Sequence, residues 1–407
     1  MIKMIIFPLL LWSSVIMANN VLQEAIDHAK SGSLLELPAG IYHGNIVINK
    51  PLVIDGKNQE AIIEGDGKGT VVTIIASGVI IKNLTIRHSG EEHERVDAGV
   101  LLKKVEQCTV KNCKIVDSLF GIDMLQVQRS EIIGNYIESK SFDLGLRGDG
   151  VRLWYSNDNH LSDNHLYKSR DFVVWYSHGN LIENNLGEYG RYSLHFMYTG
   201  KNIVKNNVYK HNSVGIFFMY SQDTIATGNL IQNSLGTTGL GIGMKDASNF
   251  ILKNNTIIYC ARGLFIDRSP YEPDTINVIE DNKIIYNSEG IHFHSLSLHN
   301  RFTNNIFKGN IENVINDSYN TKITENKFDG NYWDDYEGFD KNRDGIGDGT
   351  YHYYAYADKV WLLNPNIKFF YGSPVISILN FLAKLAPFSE PVLLLSDKHP
   401  KMYEGEV

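Results

Sequence analysis

A short phrase recurs along most of this chain: an Asn, one residue of any kind and an apolar residue, followed by an apolar strand led by Gly. It stands as Gly134-Asn135-Tyr136-Ile137, Asp163-Asn164-His165-Leu166, Glu183-Asn184-Asn185-Leu186, Asn206-Asn207-Val208, Asn255-Thr256-Ile257, Asn282-Lys283-Ile284, Asn305-Ile306-Phe307 and Asn326-Lys327-Phe328. Leu84, Cys113 and Gly228 take the Asn place in three further copies, which puts the marks 20 to 29 residues apart. β-branched residues alternate between the marks and no helical periodicity appears, so the repeat is one of stacked short strands rather than of helices or leucine-rich units. The expected fold is all-β, a right-handed parallel β-helix. Asn suits its turns because it tolerates left-handed backbone angles, and the same Asn in successive coils can hydrogen-bond up the stack. At about 4.8 Å per coil, eleven marked coils and one or two before them make a rod of roughly 60 Å.

The repeat runs from about residue 40 to 330 without a Pro/Ser-rich linker, so the 407 residues are read as one elongated body over 19–330, preceded by a signal peptide at 1–18 and followed by a tail at 331–407. Lys3, the apolar run Met4 to Leu11 and a cut after Ala18 form that secretory signal, and an uncleaved anchor is disfavoured because the apolar stretch is short for a span. Net charge is −8 and Lys and Arg are scattered, which argues against a nucleic-acid partner. Val21 to Ser31 reads as a helix, with Leu22, Ala25, Ile26 and Ala29 on one side, that plugs the open first coil. Of the three cysteines, Cys108 and Cys113 could bridge. Cys108 shares a strand parity with Val110, and Cys113 holds a ladder place, so buried thiols are the favoured reading.

The Gly-led strands carry the chemistry. Aligned from Gly, their second and fourth positions are apolar in every copy and point inward, so the third and fifth face out. The fifth reads Leu125, Trp154, Trp175, Met197, Met219, Lys245, Asp267, His294, and the third Asp123, Arg152, Val173, His195, Phe217, Gly243, Phe265, His292. An outward row of Trp, Phe and Met marks a docking surface, with Trp154, Trp175 and Phe217 as contacts, unless a loop or the tail covers it. Within it His195, Met197 and Met219 lie on adjacent coils, with His292 and His294 two to three coils further along. Imidazole with thioether is a soft donor set that suits Cu(I). A second cluster, Arg147, Asp149, Arg152, Arg170 and Asp171, has the base and cations a polyuronate lyase or epimerase places in its groove. A surface ion-pair network is the plainer reading of the same residues.

Two features follow the repeat. Asp340, Asn342, Asp344 and Asp348 put oxygens at places 1, 3, 5 and 9 of a calcium loop, with Gly345 at 6 and the Ile346 carbonyl at 7, but Tyr351 stands where the bidentate Glu belongs. An Asx-rich turn without metal is the alternative. Beyond it the apolar tail is broken by Lys384, Pro387, Glu390 and Pro391, which excludes a single membrane span. It reads as an amphipathic helix and a hydrophobic stretch that dock on a partner or a membrane surface, with Phe369, Phe370, Tyr371 and Phe388 as contacts, or else as a cap over the last coil.

The Asn-laddered β-helix, the box Gly330-Asn331-Tyr332-Trp333-Asp334-Asp335-Tyr336-Glu337-Gly338 running into Asp340 to Asp348, and the tail segments Phe369 to Val375 and Ala386 to Leu395 together resemble the NosD family, periplasmic accessory proteins of nitrous oxide reductase maturation. The resemblance covers essentially the whole chain, and its specific part is residues 330–395. It implies a periplasmic protein that is not an enzyme. Such a protein works with an ABC transporter permease and its ATPase to complete the copper centres of nitrous oxide reductase, as a scaffold or a copper-delivery subunit. The tail Phe369 to Leu395 would then dock on the permease and hold the protein at the membrane. The outward Trp/Met/His face would meet the reductase or a copper-chaperone lipoprotein. The copper ligands His195, Met197, Met219, His292 and His294 come from the residues and not from the resemblance. The contrasting class is a carbohydrate-active β-helix protein, a polyuronate lyase, epimerase or binding module that depends on Arg147, Asp149 or Arg152.

Overall fold

A computed structural model of the chain describes residues 20–236, 238–317, 323, 325–355, 366, 370, 373–385 and 392–404. The signal segment 1–18 and the tail residues Phe369, Tyr371 and Phe388 lie outside them. The described chain is a parallel β-solenoid in which each full coil lays one strand on each of three sheets, of 15, 13 and 12 strands. One coil shows the pattern: Leu181–Glu183 on the first sheet, Leu186–Glu188 on the second and Tyr192–Met197 on the third.

The inward positions build the core. Ile122, Val151, Leu194, Ile216, Ile242, Leu264 and Ile291, with Met124, Leu153, Val174, Phe196, Phe218, Met244, Ile266 and Phe293, are all fully buried and stack in register from coil to coil. Gly leads these strands because the next coil comes too close for a side chain. A Cβ on Gly121 would lie 2.2 Å from the Gly150 carbonyl oxygen, and one on Gly215 2.4 Å from that of Gly241.

The Asn ladder is realised as a continuous buried column. The Asn135 N–H and its side-chain amide both donate to Asn164 Oδ1, at 3.1 and 2.9 Å, and the amide also donates to the Val110 carbonyl. The same bonds recur through Asn185, Asn207, Asn229, Asn255, Asn282 and Asn305 to Asn331. Each bond nets about 1 kcal/mol, and each also spares a buried turn amide the larger cost of going unpaired. Two marks need correcting. The middle rung is Asn229, since Gly228 is the left-handed residue before it. Asn326 belongs to a second ladder, Asn277 to Asn300 to Asn326, that lines another turn. Cys113 fills the rung below Asn135, and all three cysteines are buried free thiols, so Cys108 and Cys113 form no bridge.

Both ends of the rod are closed. Helix α1 (Val21–His28), shorter than the expected segment, is capped by Asn20 and buries Leu22 and Ile26 against the first coil. Gln23 extends the capping to the third sheet's edge by accepting from the Val47 N–H at 2.7 Å and donating to the Val47 carbonyl. At the other end, Asn331 and the fully buried Trp333 carry the stacking past residue 330. The apolar stretch at the end of the tail forms a strand, Val392–Asp397, which pairs parallel with Lys327–Asp329 and antiparallel with Tyr351–Ala355. Leu394 and Leu395 are buried there, so this part of the tail is the cap over the last coil. Helix α2 (Pro374–Leu385) differs, exposing Val375, Ile378, Leu379, Phe381, Leu382 and Leu385. No helix among the described residues is long and apolar enough to cross a membrane.

Candidate functional site

The outer face of the third sheet holds the expected residues in two registered columns. One runs Val173, His195, Phe217, Gly243, Phe265, His292 and the other Trp154, Trp175, Met197, Met219, Lys245, Asp267, His294. The first is less open than parity alone implies. A register shift at Asp171/Val173 turns a third column outward, Tyr192, Val214, Leu240, Arg262, Glu289, and this packs over the first. Tyr192 stacks on the His195 ring at 4.6 Å and lies parallel to Phe217 at 6.1 Å, leaving His195 8% and Phe217 9% exposed. Phe217 is therefore a packing residue of a small surface core with Val214 and Leu240, and not a free contact for a partner. Trp154 and Trp175, 5.3 Å apart, are half-buried, and the Trp175 indole N–H is buried without a partner.

His195 and Met219 meet: Nε2 lies 3.2 Å from Sδ across adjacent coils. Met197 is the registered neighbour of Met219, and both methionines keep an open edge. Burial pushes the His195 pKa down to about 4, so the imidazole is neutral near pH 7 with a lone pair available to a metal. A neutral, largely buried imidazole beside two half-buried thioethers fits a soft monovalent ion.

His292 and His294 do not join this group. Three coils and the Lys245–Asp267 ion pair separate them from Met219, a distance of about 14 Å at the sheet spacing. They form a site of different chemistry. His292 Nε2 lies 3.0 Å from Asp317 Oδ2, and His294 Nδ1 lies 2.9 and 2.8 Å from the two Asp317 oxygens. Burial works to lower the His292 pKa, but the carboxylates of Asp317 and Glu289 outweigh it and hold the ring above its ordinary value. Asp317 lies outside the repeat phrase and carried no signal in the sequence.

The remaining sequence candidates come out differently. Asp340, Asn342, Asp344 and Asp348 accept from the N–H groups of Gly345, Asp344, Ile346 and Lys341. These bonds hold the loop in the manner of an Asx-rich turn. Among the described residues, the one set of three His, Cys or carboxylate donors drawn within 4.8 Å is His292, His294 and Asp317. In the charged cluster, Asp149 accepts from Arg170 at 2.9 Å, Asp171 from Arg191 at 3.0 Å, and Asp123 from Arg152 at 3.2 Å. Asp149 and Asp171 are 4% and 3% exposed, so each buried carboxylate is engaged by an Arg and offers no free base to a sugar. Arg147 donates to the Phe142 carbonyl. The network is structural.

Beyond the fifth strand position lies one more column, of tyrosines, that the pattern of alternating strand residues does not reach. The sixth is Tyr155, Tyr176, Tyr198 and Tyr220, all left-handed, with rings stacked 4.9, 5.1 and 4.9 Å apart and within 12° of parallel. The stack ends where Asp246 takes the place, opening a cleft of about 440 Å³ between Tyr220 and the Arg268–Tyr271 pair.

Residues 139–338 match the family model described as periplasmic copper-binding protein (NosD), and residues 70–186 match the right-handed beta helix region. A "Probable ABC transporter binding protein NosD" of Stutzerimonas stutzeri is 28% identical over 387 residues, covering 90% of this chain and 86% of the relative. The protein of the same description from Pseudomonas aeruginosa is 28% identical over 383 residues, covering 90% and 87%. Among solved structures, the A-module of a mannuronan C-5 epimerase from Azotobacter vinelandii has a TM-score of 0.56 at 12% identity, covering 76% of this chain and 93% of that one. The catalytic domain of an alpha-1,3-glucanase has a TM-score of 0.56 at 17% identity, covering 74% and 65%. At such identities the likeness to the two enzymes shows the right-handed β-helix fold and nothing of their chemistry.

Proposed function

The chain belongs to the NosD family, and from that premise we propose that it is a periplasmic copper-binding protein that carries Cu(I) on the outer face of its third sheet and works with an ABC transporter. The observation that carries this reading is the 3.2 Å approach of His195 Nε2 to Met219 Sδ, with Met197 alongside. Two or three soft donors on the outer face of a sheet, with the methionines partly open to solvent, hold a cuprous ion without enclosing it. A partner's sulfur or imidazole can then enter the coordination sphere before the first ligand leaves, which is the requirement for handing an ion on. The finer assignment within this reading is delivery of copper to the centres of nitrous oxide reductase. Trp154 and Trp175 beside the site would be the contact to the reductase or to a copper-chaperone lipoprotein. The exposed apolar residues of α2 and Phe370 would seat on the permease, whose ATPase drives the cycle. The chain itself performs no covalent chemistry in this scheme.

Anaerobic Cu(I) titration of the mature protein against a competing chelator tests the reading, alongside His195→Ala, Met219→Leu and Met197→Leu variants. The wild type binds one ion at this site, and the first two variants bind about tenfold or more weakly, each having lost one inner ligand. Equal affinity in wild type and both variants would remove copper from this face.

A further inference from the structure

Four coils from His195, about 19 Å at the sheet spacing, the third sheet presents a second group whose donors differ in kind. We propose that His292 Nε2, His294 Nδ1 and an Asp317 oxygen form a separate site for a divalent ion of the Zn²⁺ or Cu²⁺ type, distinct from the cuprous site. All three donor atoms already lie within 4.8 Å of one another. Two imidazoles and a carboxylate are borderline ligands that favour such divalent ions, whereas the thioether–imidazole pair favours Cu(I).

The surroundings have the features that hold a metal ligand in place. Glu289 Oε2 lies 2.6 Å from His292 Nδ1, so a proton kept on this nitrogen makes Nε2 the coordinating atom once an entering ion displaces the proton that Nε2 shares with Asp317, the usual arrangement of a carboxylate behind a metal-bound imidazole. Glu289 is itself fixed by the Arg262 Nε at 3.2 Å. The Phe265 ring packs on both imidazoles, with centroids 5.4 and 5.9 Å away. Asp317 is positioned by its own N–H, which donates to the Phe293 carbonyl at 3.3 Å. His292 is buried while His294 keeps its side chain open, so an ion can enter from solvent and find one wall prebuilt. Because the site needs neither His195 nor Met219, it stands or falls separately from the cuprous reading.

The full mature chain, freed of metal, is titrated with Zn(II) alone against a chromophoric chelator, and separately with Cu(II) read by electron paramagnetic resonance. The expected result is one tight equivalent with coupling to two nitrogens. His294→Ala should retain coupling to one nitrogen, and His294→Ala and Asp317→Asn should each weaken binding by about tenfold or more. The His195→Ala/Met219→Leu double variant should bind both ions as the wild type does. Circular dichroism confirms that the variants keep the β-solenoid, and Asp317→Asn, which preserves shape, serves where His294→Ala does not fold. Wild-type protein without a bound equivalent, unchanged affinity in both His294→Ala and Asp317→Asn, or loss of binding in the His195 double variant would each overturn the proposal.

Discussion

Asp397 is the last rung of the ladder that Asn331 would otherwise leave open. Its carboxylate accepts from the Asn331 N–H at 3.0 Å, the Asn331 side-chain amide at 2.8 Å, the Gly330 N–H at 3.0 Å and the Trp333 indole at 3.1 Å, and it is fully buried. An exposed Asn column would leave these donors unpaired, so the returning strand Val392–Asp397 supplies the acceptor that the missing next coil cannot. Asp397→Ala strands these donors, together with the His399 N–H that reaches the same carboxylate at 3.2 Å, and should cost about 3 kcal/mol, whereas Asp397→Asn keeps one acceptor oxygen and should cost about 1 kcal/mol. Chemical denaturation gives the totals, and hydrogen exchange at the Gly330 and Asn331 amides locates the loss. Unchanged protection of those amides in Asp397→Ala would show that the column does not depend on its terminal rung.

The Gly-led strands give a sharper steric prediction. A Cβ at Gly121 would meet both the Gly150 carbonyl oxygen at 2.2 Å and Ile137 Cγ2 at 2.4 Å, and neither can move without parting two coils. Gly121→Ala should therefore destabilise the rod by about 2–3 kcal/mol, in the range of overpacked cores, despite the better strand propensity of Ala. A thermal or denaturant midpoint equal to the wild type would mean that the coils separate more easily than this packing allows.

The buried thiols make a chemical test of the core. Burial pushes Cys113 up to about 12 and Cys260 up to about 11, so almost no thiolate exists at pH 8 and reagents that need it have no target. Native protein treated with iodoacetamide should remain unlabelled at Cys113 and Cys260 for as long as the solenoid stays closed. After unfolding without reductant, all three cysteines should be alkylated, as read by mass spectrometry. A Cys108–Cys113 pair that resists labelling until reduced would contradict the free thiols.

Much of this was legible in residues 134 to 307, because a buried turn amide admits few solutions and Asn is the best of them, so the same letter recurs once per coil. Strand parity was legible for the same reason: Ile122 and Met124 alternate with Asp123 and Leu125 in a sheet with one face in the core. The harder parts are those where the period breaks. The bulge that lays Tyr192 over His195 adds a residue without changing the apolar pattern, so parity counted from Gly assigned Phe217 to open solvent. Asp397 lies 66 residues from its Asn331 partner. Asp317 lies 23 residues from His294, in a segment without the Asn phrase. Contacts made by chain return rather than by repetition leave no local mark. Of the five proposed copper ligands, the sequence placed all on one face, but it could not divide them between a thioether pocket and a carboxylate one.

Asp149 offers the test of pH dependence. Burial raises its pKa to about 6, against the opposing pull of Arg170, while the unfolded chain returns it to the ordinary carboxylate range near 4. Between those values the native state holds a proton that the unfolded state has released, so this group's contribution to stability is full below pH 4 and is lost as pH rises through 6. The slope is at most about 1.4 kcal/mol per pH unit over that window. Other carboxylates titrate in the same range, so the measurement is the difference between wild type and Asp149→Asn, which has no proton to lose at this site. Denaturant midpoints at pH 4, 5, 6 and 7 should show the wild type losing ground to the variant most steeply between pH 4 and 6, with a smaller further loss from 6 to 7. A difference that moves the other way would mean that Arg170 governs the carboxyl and that the buried pair is ionised throughout.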